Sequence, residues 1–233
     1  MSMALLNLSF AACGFLGIYH LGVATALQRH AGKLLTAAQA FAGASGGALV
    51  AAVLATVPDK LEHCKEFTYR FAHDVRKQKL GAATPGYDFM SKLREGIEQI
   101  LPPDAHEVAG DRLHVSITHR ETGANRLVSS FASREDLVKK WIDGGLTDSL
   151  PVLPVGRTIT VSPFSGRLDI CPQHDGLLNL RIRVMKQEIM LSADNLTRLG
   201  QALFPPEPAR LETLCQQGHD DAVRFLKKEN WLC

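Results

Sequence analysis

Residues 39–57 read QAFAGASGGALVAAVLATV, and this stretch decides the fold. Gln39 to Ala42 is a short apolar run of strand length. Gly43 to Gly47 is a glycine-rich turn, and Ala48 to Val57 is an alanine-rich helix that stops at Pro58. The turn has the form G-x-S-x-G, with Ser45 at its tip. A nucleophilic serine on a strand-to-helix turn needs a strained backbone and minimal neighbours, because strand and helix pass close on either side. Gly43 and Gly47 fill those elbow positions, and the helix start behind Ser45 favours a nearby oxyanion. The same pentapeptide also suits a small-residue packing turn.

Toward the N-terminus the pattern repeats. Leu5 to Phe10 reads as a strand, a loop carries Cys13, Gly14 and Gly17, and a helix runs from about Ile18 to His30. Two successive strand–glycine turn–helix units predict an α/β fold with a parallel, doubly wound sheet. Glycines at the first helix start free backbone N–H groups to face an anion. One reading of Cys13-Gly14-Phe15-Leu16-Gly17 is an oxyanion hole serving Ser45. The other is a dinucleotide fingerprint, Ala12-x-Gly14-x-x-Gly17, which demands an acidic residue about 20 positions later. No Asp or Glu precedes Asp59. Nothing in the sequence activates Cys13 as a nucleophile, and a small residue in a tight loop accounts for it.

Toward the C-terminus, Leu61 to Lys79 and Phe89 to Leu101 carry helical spacing. Residues 112–119 and 126–131 alternate as a hairpin. Trp141 and Ile142 form an apolar, strand-like pair leading into Asp143-Gly144-Gly145. An Asp at a strand end can meet a nucleophile on a neighbouring strand; Asp-Gly is equally a common turn. Thr158 to Ser162 and Leu180 to Val184 are further strands. Met185, Ile189, Leu196, Leu199 and Leu203 read as one helical stripe, and Leu211, Leu214, Cys215, Gly218, Ala222 and Phe225 as another. No repeat or linker divides the chain, so residues 1–233 are expected to form one domain.

Composition excludes several classes. The formal charge is +2 with no basic tract, which argues against nucleic acid as a partner. The five cysteines are scattered, with no C-x-x-C pair, so neither a disulfide framework nor a zinc site is expected. No H-E-x-x-H or paired-histidine spacing implies a metal. Nothing before Arg29 is charged, yet a signal peptide needs a basic start. The uncharged run Leu34 to Pro58 is Ala- and Gly-rich without a Leu/Ile/Phe centre, so a buried strand, turn and helix explains it better than a membrane span. The order Ser45, Asp143, then His174 or His219 would fit an α/β-hydrolase triad, but too little sheet precedes the elbow, and both histidines sit in polar surroundings.

The glycine loop, the elbow and the later D-G-G stand in the order of the patatin-like phospholipase family, which the chain resembles through LNLSFAACGFLGIYHLG (6–22), FAGASGG (41–47), TPGYDFM (84–90), LPVLPVGRT (150–158) and QALFPP (201–206). The resemblance implies a three-layer α/β/α sandwich with a mostly parallel sheet. It implies Ser45 as nucleophile, Asp143 as its only partner, and Cys13, Gly14, Phe15, Leu16 and Gly17 as the oxyanion loop, with Gly14 the best-supported donor. No cofactor or metal is implied. The expected activity is hydrolysis of a lipid ester (acylglycerol, retinyl ester or phospholipid) through an acyl-serine, with transacylation to a lipid alcohol as a variant.

The sequence departs from the family in one place. A helix and hairpin normally separate the region SSFASREDLVK (129–139) from KWIDGGL (140–146), and here the two are joined directly. The alternative is therefore a catalytically impaired lipid-associated protein, lacking the segment that supports an Asp-bearing strand. Lipid esters and a membrane or lipid-droplet surface are the expected partners, and the sequence does not fix an oligomeric state. The expected location is intracellular and cytoplasmic, peripheral to membranes or droplets, with mitochondrial association left open. The expected contact segments are Gly81 to Tyr87, with Pro85 and Tyr87 exposed, and Phe204-Pro205-Pro206; Lys77, Lys79 and Arg210 lie near them.

Overall fold

Strand β1 (Leu6–Phe10) is buried along its whole length and lies between β2 (Ala38–Ala44) and β5 (Arg157–Val161), parallel to both. The structure is a computed structural model that describes residues 5–79, 81, 84–119, 121–142, 147–173, 180–184 and 186–232, with backbone alone at 141, 142 and 184. Beyond β2 come β3 (Leu113–Thr118), parallel, and β4 (Asn125–Val128), antiparallel, giving the order β4-β3-β2-β1-β5. The sheet is mostly parallel and flanked by helices, as expected of a three-layer α/β/α sandwich. Its parallel strands all end at one edge, where such sheets place their ligands.

The charge-free N-terminal run is explained by burial. Helix α1 (Gly17–His30) is buried from Ile18 to Leu27, held between α3 (Gly46–Thr56) and α9 (Pro208–Lys228). α1 and α9 touch backbone to backbone. A methyl on Gly22 would strike the Cys215 carbonyl oxygen, and one on Gly218 the Tyr19 carbonyl oxygen. The Tyr19 hydroxyl, deep in this seam, donates to Asp221 at 2.7 Å. Burial raises the Asp221 carboxyl above its ordinary range, against the pull of Tyr19 and Arg224. The α9 stripe read from the sequence is thus a core face: Leu211, Leu214, Gly218, Ala222 and Phe225 are all buried. No helix among the described residues is long and apolar enough to cross a membrane.

The remaining elements are α2 (Gly32–Ala37), α4 (Leu61–Arg76), α5 (Phe89–Ile100), α6 (Ala105–Ala109), α7 (Arg134–Ile142), the hairpin β6 (Arg181–Val184)–β7 (Gln187–Met190), and α8 (Ala193–Leu203). Two of them correct the sequence reading. Trp141 and Ile142 are the last residues of helix α7, so Asp143 follows a helix and not a strand. Ile189 belongs to strand β7, and Met185 lies outside the described residues, so the predicted stripe starts only in α8. There it points outward: Leu196, Leu199 and Leu203 are 62%, 50% and 64% exposed. The polar Asn195 and Arg198 take the buried side, because Asn195 Nδ2 donates to the carbonyls of Ser165 and Met190 at 2.9 and 2.8 Å.

Candidate active site

Ser45 stands where β2 gives way to α3, with φ 51° and ψ −129°. Three residues in the described chain other than glycine have positive φ, and Ser45 is the one inside a glycine-flanked turn. Such a conformation costs about 1–3 kcal/mol and persists only where its surroundings enforce it. Here they do. A Cβ on Gly43 would lie 2.6 Å from the Ala48 nitrogen, and one on Gly47 would overlap the carbonyl oxygens of Phe10 and Ala11. β1 and α3 therefore close on the elbow from both sides. The Ala48 N–H donates to the Ser45 carbonyl at 2.9 Å, which opens α3 directly behind the serine. The positive end of the α3 dipole lies at Ser45.

The loop after β1 lies against this elbow. A Cβ on Gly46 would come within 2.8 Å of the Cys13 sulfur. Gly14 takes φ 52° and starts a single 3-10 turn, Gly14–Leu16, which runs into α1. Within that turn the Leu16 N–H donates to the Cys13 carbonyl and the Gly17 N–H to the Gly14 carbonyl. The Cys13 side chain is buried and its thiol is pushed far above its ordinary range by desolvation, so it stays protonated and unreactive.

Two cavities meet at Ser45 and Gly14, with Ala202 and Leu203 of α8 shared between them. One, about 250 Å³, is walled by Phe67, Phe71, Phe89, Leu49 and Leu93. Its rings pack together, Phe71 lying 5.4 Å from Phe67 and 5.0 Å from Phe89. The other, about 320 Å³, is walled by Phe164, Ile182, Ile189, Leu196 and Leu199, with Ser149 at its polar end. Sequence reading missed both. Phe67 and Phe71 fall within the helical spacing of Leu61 to Lys79, but nothing local ties them to Ser45.

A strained serine between two glycines, beside a helix-starting loop and two apolar cavities, matches what the comparisons with known proteins find. The model of patatin-like phospholipases matches residues 8–136. The chain belongs to the patatin-like phospholipase family. It is 59% identical over 249 aligned positions to Patatin-like phospholipase domain-containing protein 4 of Homo sapiens, covering 97% of this chain and 98% of that protein. It is 38% identical to Patatin-like phospholipase domain-containing protein 2 of Mus musculus over 97% of the chain, and spans about half (51%) of that longer protein. It is 34% identical to the mouse 1-acylglycerol-3-phosphate O-acyltransferase Pnpla3, of which it covers 60%. The 249 aligned positions exceed the 233 residues of this patatin-like chain, so the first relative has internal positions that the chain lacks. The family match ends at residue 136, just before the Lys139–Lys140 junction.

Asp143, Gly144, Gly145 and His174 lie outside the described residues. The chain is described again from Thr147, whose N–H donates to the Thr118 hydroxyl at the C-terminal end of β3 (3.3 Å). The Ser116 hydroxyl donates to the Asp148 carbonyl, and the Ala12 N–H to the Ser149 carbonyl. Residues 147–149 thus pass from the end of β3 to the end of β1, the two strands that flank the Ser45 strand. His219 is half-buried on α9, beside Asp220 and the ring of His30, and lines neither cavity at Ser45.

A histidine that the sequence reading did not single out supports the elbow from below. His20 is completely buried on α1, and its Nε2 hydrogen-bonds the Ala11 carbonyl at 2.9 Å, the same oxygen that bars a side chain at Gly47. Desolvation lowers its pKa from 6.5 to about 4. Between those values the unfolded chain binds a proton at this site and the folded chain does not, so stability rises with pH. The contribution of neutral His20 is fully present above pH 6.5 and is lost as the pH falls toward 4. The expected loss is about 3 kcal/mol. Urea denaturation should show this slope in the native chain and a much flatter one in His20→Phe; equal slopes would remove the assignment.

Proposed function

We propose that this patatin-like chain is a lipid ester hydrolase that works through an acyl-Ser45 intermediate, with Asp143 as base. The observation that carries the reading is the strained Ser45 at the junction of two apolar cavities. Asp143 takes the Ser45 proton as Oγ attacks the ester carbonyl, and returns it to the departing alcohol. A carboxylate in a poorly hydrated site has the raised proton affinity that this role needs. Asp143 precedes by four residues Thr147, which is tied to the end of β3, the strand beside that of Ser45. The oxyanion is met by the loop Cys13 to Gly17. There Leu16 and Gly17 have N–H groups already engaged, which favours Gly14 and its neighbours as donors. The Gly46 N–H, next after the nucleophile, is a further donor that such elbows use.

The substrate class is a water-insoluble ester: an acylglycerol, a retinyl ester or a phospholipid. One cavity suits the acyl chain and the other the leaving or accepting alcohol, which admits transacylation beside hydrolysis. The whole of residues 1–233 acts as one domain. It works from the cytoplasmic face of a membrane or lipid droplet, in a reducing compartment. A fluorophosphonate probe tests the nucleophile and substitution tests the dyad. Asp143→Asn should lower kcat on the order of 10³-fold, while His174→Ala and His219→Ala retain full activity. Loss of activity in a folded histidine variant would replace the dyad with a triad.

A second reading has its own support. The chain lacks internal positions of its relative, and Asp143 follows helix α7 directly. On this reading the protein binds acyl lipids without turning them over. Hydrolysis of a diacylglycerol or retinyl ester that disappears in Ser45→Ala rules it out; saturable lipid binding with no turnover establishes it.

A further inference from the structure

Helix α8 is built inside out for a protein in water. Its polar Asn195 and Arg198 are only 4% and 6% exposed, while Leu196, Leu199, Leu203 and the following Phe204 are 62%, 50%, 64% and 66% exposed. The inversion is fixed by hydrogen bonds. Asn195 Oδ1 accepts from the Ser165 N–H and from Arg198 Nη1, both at 3.0 Å, and Arg198 Nη1 also reaches the Ser165 hydroxyl at 3.0 Å. Rotating the helix to hide its leucines would strand these groups and the two carbonyls that Asn195 satisfies. Residues at i, i+3 and i+7 share one helix face, so the three leucines form a single stripe, and Phe204 extends it.

We propose that this stripe is the surface by which the protein docks on a lipid layer, with the mouth of the Ser45 cavity set into the docking face. The inference rests on Ser45 being the lipid-ester nucleophile. The same leucines line the cavity that contains Ser45, together with Ile182 and Leu191, themselves 38% and 44% exposed. An acyl ester leaving a lipid layer beneath α8 therefore passes along apolar side chains to the serine without crossing water. Arg181 and Arg183, either side of Ile182 on β6, alternate to the opposite face of the strand, so the docking face itself is apolar and its attraction to lipid does not rest on charge. A second copy of the chain on this face would cap the cavity mouth, so the occupant that suits the cavity is lipid. Of the segments expected from the sequence, Phe204 belongs to the contact and Pro85 is exposed as expected, but Pro205 and Pro206 are buried, and Tyr87 is half-buried against the core.

The full-length Ser45→Ala chain, which leaves the lipid intact, allows docking to be read apart from catalysis. It should float with neutral phosphatidylcholine vesicles. Leu196→Ser/Leu199→Ser should weaken partitioning roughly tenfold for each leucine, with an unchanged circular dichroism spectrum. Leu196→Trp guards against a misfolded double variant: brominated phosphatidylcholine should quench its added fluorescence relative to the unsubstituted chain. Four results overturn the proposal: no flotation; equal flotation of the double variant; flotation only with phosphatidylserine present and reversed by salt; or a lipid-free dimer that the double variant dissolves. A failure here leaves probe labelling of Ser45 unaffected, so the two proposals stand or fall separately.

Discussion

Ser45→Ala is expected to lower turnover of any lipid ester by at least about 10⁴-fold, since the proposed covalent route runs through the Ser45 hydroxyl. The fold should survive. The Ser45 side chain makes no cap hydrogen bond to α3, so the substitution breaks no bond that holds the elbow. The backbone, by contrast, stays at φ 51° whatever the side chain. Ser45→Gly should therefore be equally inactive yet more stable than Ser45→Ala, by about 1 kcal/mol, because glycine relieves the positive φ. Thermal melts of the two variants check this. An alanine variant as stable as the glycine variant would mean that the elbow stores no strain.

The second large effect is expected at Gly47, through packing rather than chemistry. A Cβ at this position would overlap the carbonyl oxygens of Phe10 and Ala11. Neither oxygen has room to retreat. Phe10 is paired on both sides within the sheet, to Gly43 of β2 and Val161 of β5. Ala11 donates its N–H to the Val161 carbonyl at 2.9 Å and accepts from buried His20. Gly47→Ala must push α3 off β1, and should lose about 3 kcal/mol of stability. Turnover should also fall, because displacing α3 displaces Ser45 from the loop at Gly14. Denaturant titration with parallel esterase assays measures both. A stable, fully active Gly47→Ala protein would show that the close approach of strand and helix is not needed.

These two residues were legible in the sequence because the elbow is local. Gly43, Ser45 and Gly47 declare a strand-to-helix turn within five positions, and the constraint that demands glycine acts at that turn. The loop Cys13 to Gly17 was legible for the same reason, and the α9 stripe because core burial imposes the ordinary helical period. The parts that were misread depend on distant partners. Nothing near Leu196 reveals that Ser165 and Met190 will claim Asn195 and turn the leucines outward. Trp141 and Ile142 look extended beside an Asp-Gly turn, yet Leu137 and Val138 are buried in the core and carry the helix on through them. His20 escaped notice because its significance lies in a single carbonyl, that of Ala11. The two cavities at Ser45 are assembled from α3, α4, α5, α8 and the β6–β7 hairpin, which no local pattern joins.

The central claim is that an acyl group passes through Ser45. It is tested most directly by trapping that group: the protein is mixed with a slowly hydrolysed diacylglycerol, quenched in acid, digested, and its peptides weighed. The account predicts that the peptide containing Ser45 gains the mass of one acyl chain, that Ser45→Ala shows no adduct, and that Asp143→Asn forms it far more slowly. Turnover that continues with no adduct on that peptide, or with the acyl group on another residue, would contradict it.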